Sequence, residues 1–183
     1  MDRDRKILDS AAAVFFEKGF HGASVDELGT RAGLSGPALY RSFSGKDEIL
    51  ATLFNEALDE LLSATAPVHE DPEQDLERLI RHHVRFAVDH RHLVNVYQRE
   101  DRSLVDPWKR HFARRRRQYV GRWETTIGRC FPSASQAKIA TGAHACLSVI
   151  FSIAYWPKTT TRQPDLADAV TDFVRAGLAT LES

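Results

Sequence analysis

The sequence predicts an all-α protein: three compact N-terminal helices, a connecting helix, and a larger helical body. Three observations carry that prediction. Apolar residues recur at steps of three and four along most of the chain. Serine, aspartate, glycine and proline fall where such helices would start and stop. No stretch alternates polar and apolar residues for long enough to make a convincing strand.

Ile7, Leu8, Ala11, Val14 and Phe15 share one helical face, and Gly19 is placed to end that helix. Ser24-Val25-Asp26-Glu27 opens the next one: Ser24 caps the first turn and Glu27 reaches back to the cap's N–H. Val25, Leu28 and Ala32 then share a face, and Gly33 ends it. Ser35 caps a third helix beginning Gly36-Pro37, where proline is tolerated because first-turn N–H groups have no intrahelical partner. Ser44, with Asp47 three positions later, opens a fourth carrying Ile49, Leu50, Leu53, Phe54, Ala57, Leu58, Leu61 and Leu62. A break from Thr65 to Pro72 contains Pro67 and Pro72. Helical stretches follow at roughly 73–90, 92–101, 105–130, 134–155 and 164–181, separated by Pro107, Pro132, Pro157 and Pro164. Lys158 to Arg162 reads as a loop. The expected domains are 1–46 and 47–183, the second long enough to build its own core.

Composition narrows the function. Of 183 residues 43% are hydrophobic, and 25 Lys+Arg balance 25 Asp+Glu, which argues against a generic polyanion binder. No apolar run is expected to approach the ~20 residues of a membrane span. Met1 to Lys6 leads into an amphipathic stretch, not a signal segment, so a cytoplasmic protein is expected. Cys130 and Cys146 are too few for a disulfide framework and lack metal-ligand spacing. His82, His83, His90 and His92 cluster without a cysteine or regular carboxylate partner, so no metal or cofactor is expected. No nucleophile–base motif or phosphate-binding glycine loop points to an enzyme.

Residues 24–43 are the informative segment. Two short helices joined by the tight turn Ala32-Gly33-Leu34-Ser35 have helix-turn-helix geometry, in which the second helix enters the major groove. An ordinary helical hairpin satisfies the same geometry. With Leu39 and Phe43 facing in, Gly36, Pro37, Ala38, Tyr40 and Arg41 are expected to face out. Gly36, Pro37 and Ala38 can offer thymine-methyl contacts and close backbone approach, leaving polar discrimination to Arg41 or Ser35. Thr30 and Arg31 either contribute from the preceding helix or are solvated surface. Lys46 and the helix N-termini at Ser24 and Ser44 are candidates for phosphate contact. Residues 1–50 hold seven Lys+Arg against eight Asp+Glu, a net charge of −1. Weak nonspecific affinity and dependence on a dimer follow.

The stretches Phe16-Glu17-Lys18-Gly19-Phe20, Ser24-Val25-Asp26-Glu27-Leu28, Ala32-Gly33-Leu34-Ser35, Leu39-Tyr40-Arg41-Ser42-Phe43 and Lys46-Asp47-Glu48-Ile49-Leu50 resemble, in order and without gaps, the DNA-binding domain of the TetR family. The resemblance implies a ligand-responsive transcriptional regulator, a repressor released from a palindromic double-stranded operator when a small molecule binds the C-terminal domain. It also implies a homodimer formed through a four-helix interface. Tyr40 resembles the family tyrosine that hydrogen-bonds a phosphate. Ser42 departs from the pattern, since the family commonly carries histidine there, and one backbone contact is weakened or lost. The rival readings are a helical adaptor that borrowed the motif, and an enzyme.

In the body, Ile139, Gly142, Ala143, Cys146, Leu147, Ile150, Phe151 and Ala154 form one broad apolar face. Leu166, Ala169, Val170, Phe173, Val174, Gly177, Leu178 and Leu181 form another. These are either the dimer interface or intrachain core. Phe86, Val96, Tyr97, Trp108, Phe112, Tyr119, Trp123, His144, Ser148 and Phe151 are expected to line a pocket for a hydrophobic effector, lipid or acyl-CoA-like. Arg114 to Arg117 is either a solvated face paired with Glu100, Asp101 or Glu124, or a contact with the DNA-binding domain or an anionic effector.

Overall fold

The computed structural model describes residues 3–66 and 68–182, leaving Asp2 of the N-terminal charge count and Pro67 of the expected break outside the described residues. The architecture is all-α, with no strand among the described residues. The helices are α1 (Arg3–Gly22), α2 (Val25–Arg31), α3 (Gly36–Tyr40), α4 (Lys46–Ala64), α5 (Pro72–Asp89), α6 (Arg91–Glu100), α7 (Trp108–Cys130), α8 (Gln136–Ser152), α9 (Lys158–Thr161) and α10 (Leu166–Ala179). Single 3₁₀ turns cover Asp101–Ser103, Ile153–Tyr155 and Thr180–Glu182. The chain divides into two compact units, one of residues 1–57 and 92–115, the other of residues 58–91 and 116–183.

The first unit is organised around Phe15, Leu28, Leu39, Ile49, Leu50 and Phe54, all essentially buried. Each removes a large apolar side chain from water, which contributes about 1.5–3 kcal/mol. Gly19 interrupts α1 with φ +76°, so the helix breaks where the sequence placed its stop. The chain turns there against α6: the Phe20 N–H donates to the buried Glu100 carboxylate at 3.1 Å, and Glu100 also accepts from Ser103 at 3.0 Å. Nearby, the His92 ring stacks on Phe16 at 4.2 Å between centroids. Ser24 caps α2 by accepting from the Glu27 N–H at 3.2 Å. The Glu27 carboxylate pairs with Lys18 instead of reaching back to the cap. Similarly, Ser44 is met by Glu48 and not by Asp47: both its N–H and its hydroxyl donate to that carboxylate at 2.7 Å.

In the second unit α5, α8 and α10 pack against one another. Asp71 caps α5 with Pro72 in its first turn, and Ser135 caps α8. The segment expected as a loop at 158–162 forms one helical turn, because Pro157 presets φ at −57° and its carbonyl accepts from the Thr160 and Thr161 N–H groups. Residues Gln136–Tyr155 also correct the reading of apolar runs. These 20 residues contain an 18-residue window of mean hydropathy 1.4, which meets the length and composition of a membrane span. Ile139, Ala143, Cys146, Leu147 and Ile150 are buried along one side of this helix, so its apolar character is that of a core element.

Gly19 is constrained twice, by its left-handed backbone and by space, since a Cβ there would lie 3.2 Å from Glu100 Oε1. Gly19→Ala is expected to cost about 1–2 kcal/mol, read as a lower urea midpoint. Gly22→Ala, whose Cβ would meet only ordinary contact at 3.6 Å, is expected to leave the midpoint within error or raise it.

Candidate nucleic-acid interface

The turn between α2 and α3 is a Schellman motif. The Leu34 N–H donates to the Gly29 carbonyl at 2.8 Å and the Gly33 N–H to the Thr30 carbonyl at 3.1 Å, closing the end of α2. Gly33 takes φ +69° with open space around it, so backbone conformation alone is the reason for glycine there. Ser35 follows in extended conformation at the start of α3, but the expected cap is corrected: its side chain makes no capping hydrogen bond, and the docking of α3 is set by the fully buried Leu39.

Burial sorts the ten residues expected at this surface. Ser35, Pro37, Tyr40 and Arg41 are exposed, Tyr40 to 55%, and Gly36 is half-buried. Ala38 is corrected: it is 7% exposed, because it adjoins Leu39, the residue through which this short helix is docked. Four others are exposed or half-buried but already engaged. Ser24 serves the α2 cap, and the Thr30 hydroxyl donates to the Asp26 carbonyl at 2.8 Å. Arg31 forks onto Glu17, which holds that carboxyl below its ordinary value. The Lys46 ammonium donates to the Phe20 and Ala23 carbonyls at 3.0 and 3.1 Å and lies 4.6 Å from the Phe20 ring centroid. That leaves the Ser35 hydroxyl, the Tyr40 phenol and the Arg41 guanidinium as the polar groups along α3 with no hydrogen-bond or ion-pair partner among the described residues.

The ten residues expected to line an effector pocket are divided between the two units. Val96, Tyr97, Trp108 and Phe112 belong to the first unit, where Tyr97 and Phe112 pack on Phe54 at 5.5 Å. Phe86, Tyr119, Trp123 and Phe151 belong to the second, arranged around His83. His144 and Ser148 are corrected: both are exposed on the outer side of α8, because Ile139, Ala143, Cys146, Leu147 and Ile150 claim its inner side. The apolar faces of α8 and α10 are mostly core of the same chain, but Ala169, Phe173 and Gly177 remain on the outside of α10, with Phe173 68% exposed.

His83 is the buried polar residue whose role the pattern did not reveal. It is 0% exposed, and its Nδ1 lies 2.9 Å from the Tyr119 hydroxyl. Burial pushes its pKa down to about 3, and burial likewise raises the Tyr119 phenol, so both stay neutral. Its Nε2 has no hydrogen-bond partner among the described residues. The other histidines of the cluster go separate ways: His90 faces Glu60 at 3.3 Å and His92 stacks on Phe16. No group of three His, Cys, Asp or Glu among the described residues is placed to hold a metal. Burial pushes both thiols, Cys130 and Cys146, up to about 12, which removes thiolate character at neutral pH. In the arginine run, Arg115 donates to the backbone and side-chain oxygens of Asn55 at 3.2 Å, and Arg114 lies 3.2 Å from His111.

A polar cleft of about 330 Å³ opens in the second unit between Thr65, Ala66 and Val68, the first half of α5, and α7. None of the ten expected pocket residues lines it; Arg78, Arg122, Arg129, Asp75, Gln118 and Thr125 do. Asp75 is 4% exposed and receives His69 Nδ1 and Arg129 at 2.7 Å and Arg78 at 2.9 Å. Burial alone would raise its pKa, but these partners and the His69 N–H more than offset that and hold it low. The signal in the sequence was Arg122 and Arg129, seven apart on one face of α7.

Unfolded, His83 takes up a proton near pH 6.5; folded, not until about 3. Its contribution to stability is therefore full above pH 6.5 and is lost progressively as pH falls through that window. Urea unfolding free energies from pH 7.5 to 4.5 are expected to fall by about 1.4 kcal/mol per pH unit from this residue below 6.5. His83→Gln should flatten that slope whatever it does to the absolute stability.

Comparison with known proteins fits this arrangement. Residues 7–53 match the family profile "Bacterial regulatory proteins, tetR family", and residues 69–178, more than half the chain, match "Tetracyclin repressor-like, C-terminal domain". The chain is 33% identical over 78 residues to the transcriptional activator FasR of Mycolicibacterium smegmatis, an alignment covering 43% of this chain and 36% of that protein. It is 30% identical over 106 residues to the transcriptional repressor KstR2 of Mycobacterium tuberculosis, covering 56% of this chain and 53% of that one. These alignments thus span about half or less of the relatives' length. The crystal structure of AibR in complex with isovaleryl coenzyme A and operator DNA shares the fold, with a TM-score of 0.80, 20% identity, and 98% of each chain covered. With both profiles matched in order along its length, the chain belongs to the tetR family of bacterial regulatory proteins.

Proposed function

We propose that the protein is a ligand-responsive, sequence-specific DNA-binding transcriptional regulator, acting as a repressor that leaves its operator when a small molecule binds the C-terminal part. The observation that carries this reading is the surface of α3, where Ser35, Pro37, Tyr40 and Arg41 are exposed and three of them keep polar groups unengaged. In this reading residues 1–46 read DNA and 47–183 bind the effector and the second subunit. Tyr40 donates to a phosphate, Arg41 and Ser35 meet base edges or backbone, and Gly36 and Pro37 allow close approach. Lys46 and Ser24 act indirectly, holding the ends of α1 and α2 in place, and Ala38 supports the helix from inside. Thr30 and Arg31 are flanking surface whose donors are already committed. A DNA-reading role places the protein in the cytoplasm with the chromosome.

Two copies are needed because one short helix with a net charge of −1 around it gains little from nonspecific attraction. A symmetric pair meets half-sites about 34–36 Å apart in a palindromic operator. The outer sides of α8 and α10 suit such pairing: Phe173 is a large exposed apolar group flanked by Ala169 and Gly177, which let a second helix approach. An effector that binds better to a dimer with the wrong spacing releases DNA. Repression is favoured by the likeness to KstR2, and an acyl-CoA-like effector by the likeness to AibR, whose structure holds isovaleryl coenzyme A.

Selection from random duplexes, followed by gel shift, tests the central claim: a palindromic site should emerge. Tyr40→Phe should weaken binding to that site about tenfold, the worth of one charge-assisted hydrogen bond, with thermal unfolding unchanged. No enriched sequence, or full affinity in the variant, would count against this assignment. Phe173→Glu should convert a dimer to a monomer in sedimentation and lower operator affinity with it.

A further inference from the structure

The cleft of the second unit holds three guanidinium groups, two of which, Arg78 and Arg129, share the Asp75 carboxylate. Arg122 has no carboxylate within ion-pair distance among the described residues; its Nη1 donates to the Leu62 carbonyl at 2.7 Å and to the Thr65 hydroxyl at 3.0 Å. Tethering the end of α4 accounts for that nitrogen alone. The rest of the guanidinium fork keeps its donors on a cleft that also presents Gln118 and Thr125. Arg129 is likewise steadied by the His69 carbonyl at 2.7 Å, so the heads are positioned before any ligand arrives. Gly121, one turn from Thr125 on the same wall, leaves open space where a side chain would stand.

We propose that this cleft binds the oxyanion group of a small molecule, a phosphoryl or pyrophosphoryl, with Arg122 as its principal ligand and Arg129 and Arg78 supplying the surrounding positive field. Planar guanidinium forks match such groups bidentately. The volume, about 330 Å³, exceeds what an inorganic anion fills and lies at the small end of organic ligand sites. The proposal rests on the C-terminal part being effector-binding, and it assigns the effector an anionic head that aromatic residues alone would not hold.

Calorimetric titration of the full chain with inorganic pyrophosphate and with adenosine diphosphate, at matched ionic strength, tests it. Saturable 1:1 binding is expected, with Arg122→Gln weakening it at least about tenfold. Arg110→Gln, which removes an exposed arginine paired with Asp106, should leave it unchanged. Thr125→Glu places a carboxylate in the cleft from an exposed position and should abolish binding even if Arg122→Gln folds poorly. Tighter binding of the nucleotide supports a cleft that holds an organic body, and equal binding supports one that holds the anion alone. Absence of saturable binding by the unmodified protein, or affinity in both Arg122→Gln and Thr125→Glu unchanged from that of the unmodified protein, overturns the proposal. Operator binding measured on the same samples separates the two claims: if it persists while anion binding fails, only the cleft assignment falls.

Discussion

A helix of five residues cannot hold itself together in water, because nucleation costs more than so few hydrogen bonds return. The reading surface therefore exists only because α3 is docked. Leu39 is fully buried, as are Leu28 and Phe15, Ala38 is nearly so, and the Schellman turn at Gly33 fixes the angle of arrival. What remains outside is a narrow strip carrying Ser35, Pro37, Tyr40 and Arg41. The apolar contacts set that strip's position, and the polar side chains on it are spared from structural duty.

The surrounding charges follow the same economy. The acids that make residues 1–50 slightly negative are largely used internally: Glu17 on Arg31, Glu27 on Lys18, Glu48 on Ser44, Asp9 on Arg5. Exposed pairs of this kind contribute little to stability, on the order of 0–1 kcal/mol each. Their consequence is that Arg41 stands as an unpaired cation on the reading strip while Lys46 and Arg31 are drawn back into the scaffold. Discrimination is thereby concentrated in few side chains.

The second unit holds two different kinds of polar interior. Around His83 the neighbours are aromatic, the imidazole is neutral, and one hydrogen bond to Tyr119 satisfies one of its two nitrogens. Around Asp75 the neighbours are arginines, the carboxylate stays ionised, and every oxygen is met by a donor. A low-dielectric interior keeps the imidazole neutral, whereas converging cationic donors keep a buried carboxylate charged.

Local chemistry was legible without coordinates. Periodic apolar residues, the cap at Ser24, the breaks at Gly19 and Gly33 and the punctuating prolines all act within a few residues, so most of the helices, their order and the helix-turn-helix could be read directly from the chain. Which side of a helix is claimed by the core depends on partners distant in sequence, and there tertiary structure decided. It turned Ala38 inward and His144 and Ser148 outward, parted the expected pocket residues between two units, and tied Lys46 to the Phe20 and Ala23 carbonyls. It also gathered Arg78, Arg122 and Arg129 around one cleft across some fifty residues of chain. Short-range hydrogen bonding fixes elements, whereas the competition of faces for a shared interior fixes which residues are left for function.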